Sequence, residues 1–218
     1  MAKDRGRSYE RERSQERERS HERDRNDERS RIAQLAARLM AEDGIEDYAA
    51  AKRKAARQAG VPDTRQLPTN EEVEAALRTH QALYGGTEHL ARVRELRERA
   101  LDVMHGFERF NPYLTGSVLT GTAGKYADIN LQLYTDFGKD VELFLIDRDI
   151  PYRAGERRLW CGEEVRTLPA FTVDDDGLEI EIVVLEEGDL RRPVRTTPEG
   201  KPLARAKPEA VEALLQAS

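Results

Sequence analysis

The chain is poor in cysteine: one residue, Cys161, in 218. That excludes an internal disulfide framework and a cysteine-rich zinc site. It also lacks any apolar run of membrane-spanning length, and its first residues are too charged for a secretory signal. A reducing, cytoplasmic setting without a membrane partner is therefore the expectation. Nor is there an excess of positive charge. The 36 basic and 42 acidic residues leave a net charge of −6. Ten basic and nine acidic residues fall in positions 1–30, so the remainder holds 26 and 33 and carries −7. Such a balance argues against a surface built to coat nucleic acid.

What is present is uneven. The sequence opens on Glu-Arg-Glu-Arg at 10–13 and 16–19 and Glu-Arg-Asp-Arg at 22–25. With almost nothing apolar to bury, residues 1–30 are expected to form a disordered tail; an arm touching RNA or an acidic partner is the functional alternative. From Ser30 the pattern becomes helical. Ile32, Leu35, Ala36, Leu39 and Met40 form one stripe, and Gly44 ends it. A second helix is expected from Glu46 to Ala59, with Lys52, Arg53, Lys54 and Arg57 opposite an alanine-rich face. Thr69 and Asn70 open a third helix with acids in its first turn, stopped by Gly85-Gly86. Thr87 starts a long one through Leu90, Val93, Ala100, Leu101 and Met104, leading by Phe107, Phe110 and Pro112 into Gly116-Ser117. Residues 31–95 thus read as a helical region and 96–190 as the core.

The core pattern changes to period two. Asp128-Ile129-Asn130-Leu131-Gln132-Leu133-Tyr134 alternates, sending Asp128 and Asn130 to one face and Ile129, Leu131 and Leu133 to the other. A helix is expected around Val141–Ile146. Strands follow over Tyr152–Trp160, Val165–Val173 and, after the Asp176-Gly177 turn, Leu178–Leu185. On the last strand Glu179 and Glu181 oppose Ile180 and Ile182. Residues 191–218 read as a basic, proline-bearing tail closed by a short helix over Pro208–Gln216. The fold class is α+β, a mixed sheet with N-terminal helices.

Gly116-Ser117, a ten-residue spacer and then Asp128-x-Asn130 at the head of an alternating strand constitute the chemical motif. Glycine admits a phosphate to backbone N–H groups, and oxygens at i and i+2 suit a hard cation. The layout resembles the signature of the DNA polymerase beta-like nucleotidyltransferase superfamily over roughly residues 96–185. That resemblance implies Mg²⁺-dependent transfer of a nucleotidyl group from an NTP to an acceptor the sequence does not identify (protein, RNA or small molecule). It further implies Gly116 and Ser117 on the phosphates, Asp128 and Glu181 as catalytic residues, and a metal shell of Asp128, Asn130 and Glu181, with Glu179 as the alternative third carboxylate. Asn130 stands where the family pattern has a second Asp or Glu, so a non-catalytic nucleotide-binding or interaction protein on the same fold is the competing expectation. Lys125 is placed to assist a triphosphate, and Tyr126 to stack on a base.

Three other motifs do not carry chemistry. Gly121-Thr122-Ala123-Gly124-Lys125 resembles the phosphate loop of the Mur ligases, but Tyr126 replaces the required Ser or Thr and a strand follows instead of a helix. His80, His89 and His105 have no ligand-type partner at helical spacing. Cys161 and Ser117 lack the setting of a nucleophile, Ser117 because no strand–turn–helix elbow is expected around it.

Overall fold

The computed structural model describes residues 25–45, 47–61, 67–198 and 200–217. The chain divides between His80 and Gln81 into two compact units. The Glu/Arg repeats up to residue 24, and 62–66 of the loop after the second helix, lie outside the described residues.

The first unit is helical. Helix α1 covers residues 25–43 of the described chain, so residues 25–30 belong to a helix and not to a structureless arm. Arg29 explains the extension, because its guanidinium donates to Glu72 at 2.8 Å. Helix α2 (Tyr48–Gln58) is capped by Asp47, whose carboxylate accepts from the Ala49 N–H at 2.7 Å. Helix α3 (Asn70–Tyr84) starts on a reciprocal cap. The Glu72 N–H donates to the Thr69 hydroxyl and the Thr69 N–H to the Glu72 carboxylate, at 3.2 and 2.6 Å. Ile32, Ala36, Leu39, Ala51, Ala55, Val73 and Leu77 close over one another as a separate core. On the basic face of α2, Lys52 donates to Asn70 and Lys54 to Asp43, both at 2.8 Å, so half of that face is turned to partners within the unit.

The second unit is built on a seven-stranded mixed sheet, confirming the α+β class. Helix α4 (Gly86–Gly106) runs unbroken through the 95/96 position at which the sequence pattern was divided. It does not lead directly into Gly116-Ser117. A 3-10 turn over Glu108–Phe110 and strand β1 (Pro112–Thr115) intervene. Asn111 adopts the left-handed conformation there and Pro112 cannot continue a helix. The short helix α5 (Gly116–Thr120) comes next, then β2 (Ile129–Tyr134), α6 (Gly138–Asp147), β3 (Tyr152–Cys161), β4 (Glu164–Asp175) and β5 (Leu178–Leu185). The span read as a basic tail supplies both sheet edges, β6 (Val194–Arg195) and β7 (Arg205–Ala206), before α7 (Pro208–Gln216). Their burial escapes the hydropathy pattern, because Arg205 enters by donating to the Tyr134 hydroxyl at 2.7 Å.

The strand order is β6-β3-β4-β5-β2-β1-β7, with β2 and β5 parallel and the other neighbours antiparallel. The alternation expected on β2 and β5 holds. Ile129, Leu131, Leu133, Ile180, Ile182 and Val184 join the core with Leu96, Met104, Phe144 and Val211 of α4, α6 and α7. The opposite face has its own, smaller cluster of Tyr134, Leu159, Cys161, Leu168, Val183 and Leu185, packed by Leu190 and Leu203. Burying several such side chains at about 1.5–3 kcal/mol each fixes the register. The polar ends of β2 and β5 therefore cannot rotate inward. Among the described residues no helix is long and apolar enough to cross a membrane.

Candidate functional site

The parallel pairing of β2 and β5 brings the sequence-derived residues to one place. Asn130 lies opposite Glu181 on one side and opposite Thr115 of β1 on the other. Since side chains alternate, Asp128, Asn130, Glu179 and Glu181 share the face opposite the main core. Asp128 stands immediately before β2 and is half-buried. Burial, then the charges of Glu179 and Glu181, hold its carboxyl above the ordinary carboxylate range. Three acids thus interact at the heads of two adjacent strands.

Gly116 completes the arrangement from β1. Its φ is +75°, and a Cβ built there would come within 3.2 Å of the Asn130 side-chain nitrogen. Glycine is required twice over, by the left-handed backbone and by the Asn130 amide lying against it. That amide also donates to the Asp128 carbonyl at 3.3 Å. The strand-to-helix passage at Gly116-Ser117 was not expected from the sequence; Thr115, extended at φ −139°, is the residue from which α5 begins. Arg97 of α4 braces this passage by donating to the Val118 and Leu119 carbonyls at 3.1 and 3.0 Å. His89 contacts the Gly121 carbonyl at 3.0 Å. Rigid support from α4 is thus present, but sideways, through a guanidinium, and not by continuity of the chain.

Lys125, the histidines and Cys161, also singled out in the sequence, are placed as follows. Lys125 sits in the exposed turn ahead of β2, its ammonium 5.4 Å from the Tyr126 ring centre. No helix follows it, which removes the structural basis of the phosphate-loop likeness. His80 and His105 approach the carboxylates of Glu42 at 3.6 Å and Glu212 at 3.8 Å. Cys161 is buried at the end of β3.

Two arginines were not found by sequence reasoning. Arg153 and Arg157 of β3 pair with Glu179 and Glu181. Both reach across β4, past Thr172 and Ala170, which stand between the two strands. Their spacing on an exposed strand, Arg153-x-Gly155-x-Arg157, was the available signal: an i, i+2, i+4 face with two cations around a residue lacking a side chain. Among the described residues no group of three or more His, Cys, Asp or Glu is arranged to hold a metal ion. The donors suited to a cation are the Asp128 carboxylate and the Asn130 amide oxygen. That set fits Mg²⁺ held by one protein carboxylate and completed by substrate phosphates better than an all-protein cage. Compared with family models and with curated proteins, the sequence matches none.

Proposed function

We propose that the second unit is a nucleotidyltransferase of the polymerase beta-like type, acting on an NTP where the end of β1 meets the heads of β2 and β5. The observation that carries the reading is the register Thr115–Asn130–Glu181, with Gly116 closed against Asn130. It gathers a small-residue bend and oxygen-bearing side chains from three separate strands. In this reading Gly116 and Ser117 receive phosphate oxygens and Asp128 with Asn130 holds Mg²⁺, which would neutralise charge on the triphosphate. The acceptor hydroxyl oxygen forms a bond to the α-phosphorus. The bond from that phosphorus to the β-phosphate oxygen breaks, and pyrophosphate leaves. Glu181 takes the acceptor's proton.

A second reading is favoured by Asn130 itself. A neutral amide where a carboxylate would sit lowers the negative charge beside the cation, and one lost charge interaction of about 4 kcal/mol would slow transfer roughly a thousandfold. The protein would then bind Mg²⁺ with a nucleotide and report on it without efficient transfer. The two are separated by incubating wild type, Asp128→Ala and Asn130→Asp with α-radiolabelled NTPs, Mg²⁺ and cell extract. Label incorporated by wild type and abolished by Asp128→Ala supports the enzyme. Incorporation by Asn130→Asp alone supports the binder. None by any variant, with no nucleotide bound by wild type, refutes both.

A further inference from the structure

We infer that Arg153 and Arg157 are exchangeable counter-ions. Without ligand they neutralise Glu179 and Glu181, and on binding of a divalent cation with a nucleoside triphosphate they transfer to the triphosphate. The inference rests on the nucleotide reading above and names the groups that grip the anionic end of the substrate.

The two guanidinium groups come from a strand two places away from the acids they pair with. Strand β3 neighbours β4, and β4 neighbours β5. In the cross-strand row that contains Asn130 and Glu181, Thr172 of β4 and Arg153 of β3 come next. In the adjoining row Val183 is followed by Ala170 and Gly155. Short side chains in the middle let the arginines lie over β4 toward the acids. On this path they cross Thr172 and Ala170 of β4, with Gly155 between the two arginines on β3.

The charges are unevenly distributed on this face of the sheet. Glu179 and Glu181 each hold an arginine, yet among the described residues no cation pairs with Asp128. Asp128 instead feels the two glutamates as like charges. A divalent ion beside Asp128 would compete with the arginines for the same negative field, and its own attendant triphosphate would offer them a better partner. The planar, five-donor fork of arginine matches phosphate oxygens in pairs. The existing pairs are cheap to break, since the side chains of Arg153 and Arg157 are 71% and 52% exposed, and ion pairs at such positions hold weakly.

Exchange of the arginines has opposite effects on two affinities. Binding of Mn²⁺ alone, read by electron paramagnetic resonance, should tighten in Arg157→Gln and Arg153→Gln, because the acids are freed; about threefold to tenfold is expected. Binding of ATP, GTP, CTP or UTP with Mg²⁺, read by calorimetry, should weaken about tenfold or more for the loss of charge-assisted hydrogen bonds. Arg157→Lys should keep the wild-type metal affinity and recover only part of the nucleotide affinity. Exposure of both side chains leaves the thermal melt of these variants close to wild type, which circular dichroism checks. If wild type binds a nucleotide and the Gln variants match it in both titrations, or lose both affinities together, the exchange is refuted while the nucleotide site stands. If wild type binds no nucleotide in the presence of Mg²⁺, the nucleotide reading fails and the exchange with it.

Discussion

Replacing Gly116 by alanine perturbs the site at its tightest point, and Gly177 supplies the control. Both glycines have left-handed backbones, φ +75° and +84°. An L-residue there costs about 1–2 kcal/mol, so each substitution should destabilise the second unit by that amount. For a unit of this size that corresponds to a melting-temperature loss of about 3–8 °C. The surroundings differ. A Cβ on Gly177 meets nothing within 4 Å, whereas one on Gly116 stands 3.2 Å from the Asn130 side-chain nitrogen. Asn130 must then give way by a few tenths of an ångström, turning its amide from the position beside Asp128. Thermal melts by circular dichroism should therefore show similar losses for the two variants. Calorimetric titration with Mg²⁺ and NTP should show a loss for Gly116→Ala alone. The reasoning is refuted if Gly116→Ala melts with wild type, or if Gly177→Ala loses nucleotide to the same extent.

Asp128→Asn should stabilise the second unit at neutral pH. The carboxyl is raised in the folded state, so its contribution is fully present below the unfolded pKa and is lost as pH rises through the folded one. The melting-temperature gain over wild type should be largest near pH 7 and shrink toward pH 4; a gain independent of pH would contradict the charge explanation. Arg166→Ala strands the carboxylate of Asp189, 2% exposed, which now receives the guanidinium at 2.7 Å. A loss of about 3 kcal/mol in urea unfolding is expected, and a loss under 1 kcal/mol would show that Arg192 at 3.9 Å suffices. Burial and then the nearby Asp189 charge push the Cys161 thiol up. It should react with a disulfide reagent at neutral pH far more slowly in the native protein than in urea; equal rates would place it outside the core.

The strands of the second unit were legible where one physical signal dominated. The alternation of Ile129–Tyr134 and Leu178–Leu185, and the Asp176-Gly177 turn with both residues at positive φ, declare themselves because each face has one environment. β1 was missed since four residues between Asn111 and a short helix hold too few alternations to read. β6 and β7 were missed for another reason: two-residue strands depend on partners far along the chain, and Arg205 is stabilised by Tyr134 and by the Leu190 carbonyl at 2.5 Å, not by hydropathy. For the candidate site, spacing along one strand and one bend singles out Asp128, Asn130 and Gly116, whereas Glu181 or Glu179 follows only from the alternation of a separate strand and the resemblance. The spacing Arg153-x-Gly155-x-Arg157 marks a charged face, but its partners follow only from the sheet order that brings β3 within reach of β5.

On the function proposed above, Asp128 anchors a nucleotide on this face. Equilibrium dialysis of radiolabelled NTPs against wild type and Asp128→Ala, each with and without Mg²⁺, tests it directly. Wild type should bind at least one NTP in a way that requires Mg²⁺ and falls about tenfold or more in Asp128→Ala, as expected for a charged anchor removed from a phosphate-bearing ligand. No retention of any NTP at millimolar concentration, or equal retention by the folded variant, would contradict it.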